Sequence, residues 1–101
     1  MKKLLQVDFP FLGPFGDAMA SALEGIAHSI NDEPGMIWKI WTESKAGQLG
    51  GGVYLFEDEE SAQNYLAMHT ARLSEMGIKD IRGVIFDIND SLTQINRGPV
   101  A

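Results

Sequence analysis

The sequence predicts an α+β fold of the ferredoxin-like type, βαββαβ, with a four-stranded antiparallel sheet. Two observations lead there. Period-2 and period-3.6 apolar patterns alternate along the chain as strand, helix, strand and then strand, helix, strand again. The connection between the second and third strands, Ser44 to Gly52, is too short to hold the helix that a parallel, flavodoxin-like sheet would need there. A third observation concerns assembly. Met36-Ile37-Trp38-Lys39-Ile40-Trp41 and Gly83-Val84-Ile85-Phe86-Asp87-Ile88 carry bulky apolar residues on both faces. Two helices cover only one face of such a sheet, so the other needs a second layer, most simply another copy of the chain.

The first strand, Leu4 to Phe11, sets Leu5, Val7, Phe9 and Phe11 on one face and Leu4, Gln6, Asp8 and Pro10 on the other. Gly13-Pro14-Phe15-Gly16 breaks it. From Asp17 the period changes: Phe15, Met19, Ala22, Leu23, Ile26 and Ile30 form one helical stripe, and Asp17 suits the positive end of the helix dipole. Asn31 to Gly35 stops the helix, because Pro34 cannot continue it and Gly35 tolerates the reversal.

The second strand runs from Met36 to Thr42. A Gly-rich hairpin follows, with Gly50-Gly51-Gly52 read as its flexible part, and leads to a third strand over Val53–Phe56. Asp58 is the expected N-cap of a longer helix from Glu59 to about Met76, whose stripe is Ala62, Tyr65, Leu66, His69, Leu73 and Met76. Gly77 ends it, and the fourth strand spans Ile81 to Ile88. The whole of residues 1–101 reads as one domain, with a polar tail over 89–101 anchored by Leu92 and Ile95.

Composition limits the function. A formal charge of −6 with scattered cations argues against nucleic acid and against an anionic membrane surface. The absence of cysteine removes disulfides, thiolate zinc sites and a cysteine nucleophile. The two histidines fall on different helices without clustered acids, which disfavours a metal site. The N-terminus lacks an unbroken apolar run, and a cytoplasmic location is the expectation.

If the helices cover Leu5, Val7 and Phe9, the open face takes either the Trp38 and Ile40 set or the Ile37, Lys39 and Trp41 set. Alternation puts Trp38 and Trp41 on opposite faces, and Trp41 is taken as the open-face ring whose loss would weaken the dimer. Such a face serves equally as a packed interface or as the wall of a small-molecule pocket. His69, within the second helical stripe, is the sharpest chemical candidate, either as a base or as a core histidine satisfied by Tyr65 one turn away. Arg72 shares that helix edge and would reach a substrate oxygen or pair with Glu75; Tyr54 would donate into a pocket or simply pack. His28, off its stripe, reads as a surface residue, and Asn31 as a helix end.

Several strings carry a resemblance over essentially the whole chain. They are Gly13-Pro14-Phe15-Gly16-Asp17-Ala18-Met19-Ala20, Glu33-Pro34-Gly35, Trp38-Lys39 with Trp41-Thr42-Glu43-Ser44, and Gly52-Val53-Tyr54-Leu55-Phe56. His69-Thr70-Ala71-Arg72-Leu73 and Ser91-Leu92-Thr93-Gln94-Ile95-Asn96 complete the set. The chain thereby resembles the YdhR family of putative monooxygenases. The resemblance implies a homodimeric α+β barrel close to the cofactor-independent monooxygenases of aromatic polyketide biosynthesis. Those oxidise a small aromatic or phenolic compound with O₂ and use no flavin, haem or metal. On that reading His69, Arg72 and Tyr54 are catalytic, and Trp38, Trp41, Phe56 and Tyr65 bind substrate. The alternative is a non-catalytic dimer that binds a hydrophobic ligand.

Overall fold

A computed structural model describes all 101 residues. In chain order the elements are β1 (Lys3–Pro10), α1 (Gly16–Ile30), β2 (Met36–Ser44), β3 (Leu49–Phe56), α2 (Glu59–Glu75), β4 (Arg82–Asp87) and α3 (Asp90–Ile95). The four strands form one antiparallel sheet in the order β2-β3-β1-β4, the ferredoxin-like plan.

The local signals act as their chemistry dictates. Asp58 Oδ1 accepts from the Ser61 backbone N–H at 2.8 Å and caps α2. Gly35 (φ +77°) and Gly77 (φ +87°) hold left-handed conformations just after α1 and α2, where a side chain would be strained. The first turn of α1 is met from across the fold: the Gly16 N–H donates to Glu43 Oε1 at 2.9 Å, so a carboxylate from β2 sits at the helix's positive end.

Leu5, Val7 and Phe9 of β1, Tyr54 and Phe56 of β3, Ile30 of α1, and Ala62, Tyr65 and Leu73 of α2 make the core between sheet and helices. The registers assign the β2 residues. Lys39 lies beside Tyr54, which lies beside Leu5; Trp41 lies beside Gly52, which lies beside Val7. Lys39 and Trp41 therefore face the helices, whereas Trp38 and Ile40, beside Leu55 and Val53, face the opposite side. The expectation that Trp41 belongs to the open face is thus corrected. A bulge between Met36 and Trp38 puts Met36 and Lys39 on the same face, so a plain two-residue alternation fails at this point.

Three further corrections concern boundaries. β3 begins at Leu49, so Gly50, Gly51 and Gly52 belong to the strand, and the turn is left to 45–48. Close approach explains the glycines better than flexibility: a Cβ on Gly52 would stand 2.7 Å from Lys39 Cε, and one on Gly50 would stand 3.2 Å from the Phe9 and Phe11 rings. The tail contains α3, capped by Asn89 Oδ1 accepting from the Leu92 N–H at 3.1 Å. Its anchor is Val100, 8% exposed, while Leu92 and Ile95 are 61% and 72% exposed. Trp38 Nε1 donates to the Pro99 carbonyl at 2.9 Å and Lys2 Nζ to the Val100 carbonyl at 3.1 Å. The tail consequently crosses one end of the open face, and Leu55 is only 1% exposed there. Ile40 (55%) and Phe86 (39%) remain uncovered on that face. No helix is long and apolar enough to cross a membrane.

Candidate active site

The apolar stripe of α1 stands partly off the sheet, and the space beneath it is a cavity of about 360 Å³. This is within the size range of small-molecule sites. The cavity is within the chain, on the helix side of the sheet, rather than on the open face where the sequence placed a pocket. Phe9 of β1, Leu23 and Ile26 of α1, Leu73 of α2 and Trp41 of β2 supply apolar wall; Lys39 and His69 are its titratable side chains. Beyond Trp41 a more open hollow of about 510 Å³ runs along α1 to Glu43.

His69 is placed by the helical stripe of α2 and is 5% exposed. Its ring stacks on Tyr65, with centroids 5.1 Å apart and 26° between planes. Arg72, three residues on, donates from Nη2 to His69 Nδ1 at 3.0 Å. A guanidinium only donates, so Nδ1 is the acceptor and the ring proton sits on Nε2. Burial, reinforced by the positive charges of Lys39 and Arg72, holds the imidazole well below its ordinary value, at about 3. His69 is therefore a neutral hydrogen-bond donor through Nε2–H. The expected pairing of Arg72 with Glu75 does not occur; the guanidinium serves His69, and its buried Nε has no partner.

Lys39 is the residue that sequence reasoning passed over. Its Nζ lies 3.3 Å from the centre of the Trp41 ring and 4.6 Å from that of Tyr54. None of the ion pairs, Lys3–Asp87, Glu24–His28 and Asp8–Arg82, involves Lys39 or Arg72. Burial, with Arg72 nearby, pushes the Lys39 amine down from 10.5 to about 7. A lone lysine within an apolar strand sequence was the available signal, and Gly52, diagonal to it across the sheet, leaves room for its stem.

The other sequence-predicted residues, Trp41 excepted, do not line the cavity. Tyr65 donates its hydroxyl to the Tyr54 hydroxyl at 3.1 Å inside the core, and burial pushes both phenols up, away from any role as a base near neutrality. Phe56 is fully buried beside Tyr65, with ring centroids 5.4 Å apart. Trp38 is on the far side of the sheet, bonded to the tail. Of the aromatic residues singled out, Trp41 alone walls the cavity. His28 is on the surface 3.8 Å from Glu24, and Asn31 ends α1, as the sequence indicated.

The helices and sheet of this antiparallel α+β sandwich thus enclose an apolar cavity with an unpaired amine and a neutral imidazole in its wall. The family model described as "Putative mono-oxygenase ydhR" matches residues 4–99, and the chain belongs to that family. No curated protein matches the chain.

Proposed function

We propose that the chain is a cofactor-independent monooxygenase that oxidises a small aromatic or phenolic compound with O₂ and works as a homodimer. The observation that carries this reading is the Lys39 amine, set against the Trp41 ring in the cavity wall with no carboxylate partner. An amine brought to about 7 is a base matched to neutral pH. The family's description as mono-oxygenases agrees with it.

The geometry supports the following roles in this proposal. A phenol or anthrone-like substrate lies on Trp41 and passes its acidic proton to Lys39 Nζ. The resulting anion is stabilised by the new ammonium and by His69 Nε2–H, in a cavity where apolar walls exclude water. Arg72 is a positioning residue, because it fixes the His69 tautomer. Tyr54 and Tyr65 form the rigid wall behind. The electron-rich anion supplies the electrons that O₂ needs. One oxygen atom ends on substrate carbon, and the other leaves as water with the two hydrogens the substrate loses. The homodimer would form across the open sheet face, where Ile40 and Phe86 are exposed.

Oxygen consumption by chelator-treated protein with anthrone and naphthols tests the proposal. Uptake above the enzyme-free rate, lost in Lys39→Met, is the expected result. Absence of uptake with a ligand demonstrably in the cavity overturns it in favour of the hydrophobic-ligand-binding dimer.

A further inference from the structure

The charge within the cavity is opposite to that of the molecule. The chain carries −6 overall, yet no aspartate or glutamate lines the cavity. No carboxylate lines either hollow that Lys39 borders, and the second, between α1 and β2, adds His28 as its only other titratable side chain. The α1 side gives Met19, Ala22, Leu23 and Ile26; β1 gives Phe9; β3 gives Tyr54; α2 gives His69 and Arg72. The nearest carboxylate along β2, Glu43, is on the hollow beyond Trp41 and is occupied at the α1 N-terminus.

A buried cation without a counter-charge is costly, and the two ring faces beside Lys39 return only part of its lost hydration. Arg72 repeats the pattern, with its Nε buried and unpartnered. One uncompensated cationic side chain in the wall of an otherwise apolar cavity, with Arg72 behind His69 and outside the lining, describes the complement of a ligand with an apolar body and one negative end. A single ammonium between ring faces matches one charge. A doubly charged phosphate would leave excess charge without water to hydrate it.

We propose that the cavity binds a flat organic monocarboxylate, its ring body against Trp41 and Phe9 and its carboxylate on Lys39 Nζ. The inference rests on the cavity used above for the proposed function, but it needs no oxygen chemistry. Such acids would occupy the site in competition with an oxidisable substrate.

Proton linkage gives the binding a signature. Of the titratable groups facing Lys39, His69 is neutral down to about 3 and Tyr54 is pushed up by burial, while a guanidinium keeps its charge. Within the cavity lining, which excludes His28, Lys39 alone changes charge between pH 6 and 9, so a carboxylate bound there at pH 8.5 must bring a proton with it.

The test is calorimetry on the full chain with 2-naphthoate and its neutral near-isostere 2-naphthamide, at pH 6.5 and at pH 8.5 in buffers of different ionisation enthalpy. The expected result is a preference for naphthoate of about tenfold or more at pH 6.5. Uptake of close to one proton per naphthoate at pH 8.5 should accompany it. Both should disappear in Lys39→Met. Equal binding of the two compounds, binding of neither, or an unchanged preference in Lys39→Met overturns the inference. Anion preference without O₂ uptake would refute only the oxygenase; uptake without anion preference would refute only this inference.

Discussion

Replacing Lys39 by methionine should stabilise the protein at neutral pH. The substitution keeps a long flexible stem above Gly52 and removes the amine. Lowering that amine from 10.5 to about 7, at 1.36 kcal/mol per pH unit, sets a ceiling of roughly 5 kcal/mol on the penalty of holding the charge in the fold. The attraction of the Trp41 and Tyr54 ring faces offsets about 1–2 kcal/mol of it. A gain of roughly 2–4 kcal/mol for Lys39→Met at pH 6 is therefore expected. The sign with pH is fixed. Between about 7 and 10.5 the unfolded chain binds the proton that the folded chain has released, so wild-type stability rises with pH over that window. The advantage of Lys39→Met should be complete below pH 7 and gone by about 10.5. Urea denaturation followed by circular dichroism at pH 6, 7.5 and 9 measures the difference, with other ionisations cancelling between the two proteins. A Lys39→Met protein less stable than wild type at pH 6, with a difference flat in pH, would refute the burial of an unpaired amine.

Gly52→Ala should shift the Lys39 amine and weaken ligand binding, because its Cβ would press to 2.7 Å from Lys39 Cε, while the flexible stem keeps the cost in urea denaturation to about 1 kcal/mol. Tyr54→Phe deprives the buried Tyr65 hydroxyl of its acceptor and should cost about 1–3 kcal/mol. The Tyr54→Phe, Tyr65→Phe double variant should recover much of that loss, since both hydroxyls are then gone. Arg72→Met should raise the His69 pKa from about 3 while burial keeps it below 6.5, as read by imidazole NMR titration. In the same spectra the wild-type ring should carry its proton on Nε2, and Arg72→Met should release that tautomer.

What the sequence revealed was mostly local. The Asp58 cap, the Gly35 and Gly77 stops and the stripe that buries His69 depend on neighbours within a turn or two, and all stand in the structure. The ferredoxin-like plan followed from element order and the shortness of the β2–β3 connection. The site itself depended on pairing between distant strands. Trp41 was given to the wrong face because the register that sets it opposite Gly52 and Val7 is not written in β2. Nor does the sequence mark the bulge at Met36 that shares a face with Lys39. Gly50-Gly51-Gly52 resembled a loop because glycine is permissive, whereas two of these positions leave space for Phe9, Phe11 and Lys39. Lys39 was overlooked for a general reason: a strand lysine normally belongs to solvent, and only the packing of α1 and α2 over it makes it a wall of the cavity.

The most direct test of the site's location is an NMR titration of ¹⁵N-labelled protein with 2-naphthol under anaerobic conditions. Shifts should centre on the Trp41 indole N–H and on the amides of Leu23, Ile26, His69 and Leu73, which surround the cavity. Shifts centred instead on Ile40, Val53, Val84 and Phe86 would put the ligand on the open sheet face and contradict the site described here.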